Sequence, residues 1–147
     1  MTPHLASADP GYARFVNSFT GKQQGMAVSA EISPVNSLVF IHDVRGWTSP
    51  RPVDWKLIWS TPSCIATAVF PEIDGPTKIV LGHASEVDPG TVVAFDGTLE
   101  TPHRAVVVTT VDSGEPFLAL AVPGQQTRVR IWHSDPRWPE IVTIGVG

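Results

Sequence analysis

Five histidines are the residues of this chain best suited to proton chemistry near neutral pH. Three stand close to a carboxylate, in His42-Asp43, His83-Ala-Ser-Glu86 and His133-Ser-Asp135. A carboxylate at that distance can orient an imidazole for proton transfer or complete a metal's ligand set. A metal-dependent barrel, however, wants two close histidines and a carboxylate, with another histidine later. Here His42, His83, His103 and His133 each stand alone in their strand or loop. An enzymatic reading therefore rests on His103 or His133 acting with Asp135, assembled from distant loops. No metal site and no cofactor are expected, because the dinucleotide, phosphate-loop, nucleophile-elbow and H-E-x-x-H motifs and paired cysteines are all missing.

Recognition is the other chemistry on offer. Of five tryptophans, Trp47 lies in the loop Arg45-Gly-Trp-Thr-Ser-Pro50, and Trp138 sits between Arg137 and Pro139. Arginine beside a loop tryptophan is a frequent anchor at interfaces, though the same pair can serve as a lid on a sandwich. The run Thr127-Arg-Val-Arg-Ile-Trp-His133 alternates, so Arg128, Arg130 and Trp132 share one face with Val129 and Ile131 opposite. That face is either solvated, with arginine stacked on indole, or a patch that docks a partner. Glu86, Asp88 and Asp96 belong to an acidic stretch, 71–103, which holds Lys78 against six carboxylates. Acidic turns of this kind serve solubility or steer a basic partner.

Prolines delimit the elements that must position these groups. Fourteen are present, and from Pro34 onward most gaps between them hold one short run of β-formers. Proline lacks the ladder donor and fixes φ, so it marks strand ends and turns. Strands are expected at 26–32, 38–42, 53–59, 64–70, 77–81, 91–95, 104–111, 117–122, 127–133 and 140–145. Trp55 and Trp59 share the face of 53–59 read as core. Asp74-Gly75, Asp96-Gly97 and Ser113-Gly114 suggest tight hairpins, and Pro89-Gly90 and Pro123-Gly124 suggest type II turns. Short loops make most pairs antiparallel. The fold class is all-β: a two-sheet antiparallel β-sandwich of about 8–10 short strands over 25–147. Residues 1–24 form an N-terminal extension, either a tail or a short helix capped by Asp9.

Composition agrees with a single sheet domain. The 147 residues suffice for one core without staples, and charged residues at 16% fall well below the usual ~25%. A net charge of −4 argues against nucleic acid or an anionic membrane as partner. Cys64, the only cysteine, sits in an apolar run and reads as a packed side chain. With no leader-like N-terminus and no long apolar run, the expected location is cytoplasmic.

The C-terminal third, with Val-Pro-Gly, then Thr-Arg-Val-Arg-Ile-Trp, then Pro139-Glu-Ile-Val-Thr-Ile144, resembles the closing hairpin of small bacterial β-sandwich proteins of the competence nuclease-inhibitor type. Trp47-Thr48 and Pro102-His-Arg104 fit the same pattern, over roughly residues 37–146. The resemblance implies a non-enzymatic protein that binds another protein, a nuclease or a toxin, and carries over no binding residues. Two alternatives stay open: a metal-dependent or hydrolytic sandwich enzyme, and a carbohydrate-binding module using the loop tryptophans.

Overall fold

The alternating runs between prolines become ten strands among the residues that the computed structural model describes, 27–51, 56–71, 74–89, 92–111 and 113–147. They are β1 (Val28–Ile32), β2 (Leu38–His42), β3 (Ile58–Thr61), β4 (Cys64–Ala68), β5 (Thr77–His83), β6 (Val92–Glu100), β7 (Ala105–Thr110), β8 (Ser113–Ala121), β9 (Gln126–His133) and β10 (Ile141–Val146). One sheet has the order β1-β5-β10-β9-β6 and the other β3-β4-β2-β7-β8. The expected two-sheet sandwich is present. The N-terminal extension, Trp55 and the Gly90 half of the Pro89-Gly90 turn lie outside the described residues. No helix among the described residues is long and apolar enough to cross a membrane.

The core is the inward set of each alternation. Val39, Ile41, Ile65, Val106, Val108, Leu118 and Leu120 face Ile79, Leu81, Leu99, Val129, Ile131, Val142 and Ile144. Aliphatic residues dominate because β-branched side chains pack well on a pleated surface. One strand pair is parallel: β10 lies beside β5, Val142 opposite Ile79. A parallel pair needs a long return, and here the whole stretch between His83 and Ile141, with four strands, supplies it.

Four local expectations are corrected. Asp96-Gly97 forms no turn but lies inside β6, and the tight hairpin expected at Ser113-Gly114 is present with its turn just before them, since Ser113 opens β8 opposite Thr110. Gly97 pairs with Val129, and a Cβ there would stand 2.8 Å from the Phe95 ring. Its value is room for that ring. Gly124 has no positive φ, so Pro123-Gly124 is not a type II turn; Gly75 does take a positive φ, 129°, but Asp74-Gly75 closes no hairpin, because β4 and β5 lie in different sheets. The last correction is to the 53–59 run. Its strand starts only at Ile58, which packs on the core, so Trp59 opposite Ala66 points to the other face. Parity in a strand flips with a one-residue change of assignment, and here Ile58 takes the inward face.

Cys64 is fully buried, and that burial pushes its thiol up to about 12 despite a bond from the Ile41 backbone that acts the other way. A thiol of this kind is unreactive. Reducing agent should leave the melting temperature unchanged, and a thiol reagent should label Cys64 only on unfolding. Rapid labelling of the folded protein would show that the side chain is accessible.

Candidate functional site

Four loops and one sheet face hold the predicted residues. The 134–140 loop joins β9 to β10, and its shape comes from two side chains. Asp135 Oδ1 accepts the backbone N–H groups of Arg137 and Trp138 at 2.9 and 2.8 Å. Ser134 Oγ accepts those of Glu140 and Ile141 at 3.1 and 3.0 Å. Pro136 and Pro139 restrict the same segment. The bonds from Trp138 and then Arg137 hold the Asp135 carboxyl below its ordinary range. Asp135 is therefore engaged as a loop brace. The brace leaves Trp138 52% exposed, with the Arg137 guanidinium 5.7 Å from the ring centre.

The outer face of the first sheet continues from this loop. Trp132 pairs with Val93 of β6 on one side and Thr143 of β10 on the other, and Ile141 follows along β10. Val93 is 64% and Ile141 42% exposed. Val93 and Ile141 are thus exposed on this face, and Trp138 is exposed on the loop that leads from β9 into β10, while the fourth large apolar residue exposed among the described ones, Val111, lies elsewhere. Single exposed apolar groups are ordinary on a folded domain, whereas a tryptophan held exposed by a braced loop is less so.

Arg128, Arg130 and Trp132 share this face as alternation requires, yet their surroundings differ. Arg128 is exposed and forms a forked pair with Asp96, at 3.0 and 2.8 Å. That bond holds the Asp96 carboxyl down and the Arg128 guanidinium up. The charge expected to steer and one of the charges expected to dock are therefore tied to each other. Arg130 lies over the Trp132 ring at 5.8 Å and donates to the Gly147 carbonyl.

Trp132 itself is not the open side chain that a solvated face would offer, for it is 8% exposed. The β5–β6 connection, with its short 3-10 turn Ala84–Glu86, folds back over β10. Gly145 permits this: a Cβ there would meet Trp132 at 3.0 Å, Val87 at 3.2 Å and the Ala84 backbone at 3.3 Å. Glu86 and Asp88 are exposed on the same connection. Gly145→Ala should lower stability by about 1–3 kcal/mol, read by urea unfolding. A neutral result would mean that the connection does not rest on the sheet.

The candidate catalytic residues do not converge. His133 is buried in the interior and shares a 2.9 Å hydrogen bond with Thr67 of the opposite sheet, while Asp135 braces its loop. His103 instead meets Asp43. Asp43 Oδ2 accepts the His103 backbone N–H at 2.7 Å and its Nδ1–H at 3.0 Å, and Oδ1 accepts the Val44 N–H at 2.7 Å. This carboxylate, 1% exposed, fastens the β6–β7 turn to the end of β2. Beside it, His42 donates from Nδ1 to the Asp43 carbonyl and accepts the Thr109 hydroxyl at Nε2, 2.9 Å away. Trp47 stacks on His42, centroids 4.0 Å apart, and tilts against Phe40. Trp47 is thus a cover on the second sheet's outer face. No group of three or more His, Cys, Asp or Glu side chains placed to hold a metal occurs among the described residues.

No protein-family profile and no curated protein matches the sequence. Solved structures do match. The sandwich is similar to that of ComJ. This protein from Bacillus subtilis, an inhibitor of the DNA degrading activity of NucA, superposes with a TM-score of 0.58 at 13% identity, covering 81% of this chain and 93% of ComJ. The product of crocagin biosynthetic gene J superposes with a TM-score of 0.45 at 13% identity, over 82% of this chain and 95% of its own. The competence nuclease-inhibitor likeness expected from the closing hairpin is thus present as a likeness of fold.

What the sequence missed was the Asp43–His103 pair, joined across sixty positions. His42-Asp43 looked like the local pair, but the carboxylate turns to the other histidine.

Proposed function

We propose that this chain is a non-enzymatic module that binds another protein and inhibits it, with a nuclease as the first target class to test. The observation that carries the reading is Trp138, exposed on a loop braced by Asp135 and Ser134. A braced aromatic loses little conformational entropy on binding, which is what a binding anchor needs. The ComJ-like fold supports the inhibitory role, since ComJ inhibits the DNA degrading activity of NucA. Arg130, stacked over Trp132, adds to the docking face, and the exposed Glu86 and Asp88 steer a partner whose body is basic. Trp47 acts at a distance, by fixing the loop over the second sheet. The protein works in the cytoplasm, with neither nucleic acid nor membrane as its ligand.

The test uses the immobilised protein and a Trp138→Ala variant as baits. Wild type should retain a protein that the variant loses, with affinity lower by roughly 30-fold, about 2 kcal/mol. Added back in excess, wild type should suppress the catalytic activity of the retained protein. Asp135→Ala, which frees the loop without touching the core, should weaken binding mainly through faster dissociation. Equal binding by wild type and Trp138→Ala, both folded, would remove this surface from consideration.

A further inference from the structure

The two sheets part company along one side of the sandwich. The end strands there are β3 and β6, and the Glu100 N–H donates to the Pro62 carbonyl at 2.8 Å, pinning one end. Toward the start of β6 they separate into a cleft of about 740 Å³. Leu57, Ile58 and Phe95 give it apolar walls, Trp59 and Ser60 line the β3 side, and His133 closes its depth. Arg51 and Lys56 stand at the mouth, both exposed, and neither meets a carboxylate among the described residues. The described lining contains no acidic side chain at all.

We infer that the cleft receives an extended, acidic segment of the protein partner, laid alongside β3 with its carboxylates on Arg51 and Lys56 and its apolar side chains against Ile58 and Phe95. This rests on the binding reading above and adds how the partner is gripped. The volume lies within the range of specific pockets, and a strand at the end of a sheet is a ready template for an extended chain. β6 is the poorer template, because a bulge between Val93 and Phe95 bends its edge. The cleft adjoins the proposed docking surface: Val92 and Pro136 line it, Val93 follows Val92 along β6, and Trp138 belongs to the same loop as Pro136. A partner's body on the outer face could therefore turn a segment into the cleft. Two cations without a flanking basic stripe suit carboxylates better than a nucleic-acid backbone, whose binding needs many phosphate contacts.

The experiment selects displayed random octapeptides on the whole protein, then measures the enriched peptides by fluorescence anisotropy. The expected pool is rich in Asp and Glu among aliphatic residues. The Arg51→Glu/Lys56→Glu variant should weaken its binding by roughly tenfold or more, while Trp138→Ala leaves it unchanged. A melting transition like wild type's confirms that the double variant is folded. A pool without acidic enrichment, or one bound equally by the charge-reversed protein, overturns the inference. So does tight binding of an oligothymidylate that the reversal abolishes, or self-association that it abolishes, which would assign the cleft to nucleic acid or to a second copy. The two readings fail separately: acidic peptides bound in a charge-dependent way, with no protein retained through Trp138, would leave the cleft and remove the docking face. Loss of the peptide result with Trp138-dependent capture intact would do the reverse.

Discussion

Lowering the pH from 7 to 4.5 should remove on the order of 5 kcal/mol of folding stability through two buried histidines. Burial lowers His42 from 6.5 to about 4, against smaller opposing effects of Asp43, and lowers His133 from 6.5 to about 4. In the unfolded chain each imidazole takes up a proton near pH 6.5, while in the fold it waits until about pH 4. Between those values the unfolded state binds more protons, so stability rises with pH across the window and is lost as pH falls through it. Each shift is worth up to about 3 kcal/mol at ~1.4 kcal/mol per unit, most of it lost by pH 4.5. Urea midpoints at pH 7 and 4.5 measure this directly. Replacing either histidine by glutamine should reduce the difference between the two pH values, whatever it does to stability at pH 7. Equal midpoints for wild type would mean that the imidazoles are not held neutral.

The second large effect is expected at Asp43. Its carboxylate satisfies the backbone N–H groups of Val44 and His103 as well as the His103 ring. Asp43→Ala leaves two backbone donors without their acceptor, and each buried donor left unmade costs ~1–3 kcal/mol. A loss of about 3 kcal/mol is expected, equivalent to a fall in melting temperature on the order of 10 °C for a domain of this size. Asp43→Asn keeps an oxygen acceptor and should fall between wild type and alanine. Thermal unfolding checks the order. An alanine variant as stable as wild type would show that the link from β2 to the β6–β7 turn is dispensable.

Local alternation and proline spacing were enough to locate strands, because both act within a few residues. Val129 and Ile131 face inward, as their alternation with Arg128 and Arg130 requires. Non-local choices were not legible. Nothing near Ile79 or Val142 announces that β5 and β10 run parallel, since that pairing depends on where the intervening strands go. Trp132 shows the same limit for the site. Its place on the outer face follows from alternation, but its burial depends on a connection from residues 84–87 crossing at Gly145. Asp135 beside His133 suggested chemistry. Its two backbone N–H partners, two and three residues ahead, are the ordinary use of aspartate in a turn. The cleft could not be seen at all, because its walls come from the end strands of two different sheets.

The central claim is that a protein partner docks on the end of the sandwich marked by Trp138. Hydrogen exchange of this chain, alone and in complex with the retained partner, tests it most directly. Added protection is expected over 92–95 and 132–141, with the Ser113–Ala121 strand at the far end of the other sheet unchanged. Protection confined to Ser113–Ala121, with 132–141 exchanging as in the free protein, would contradict it.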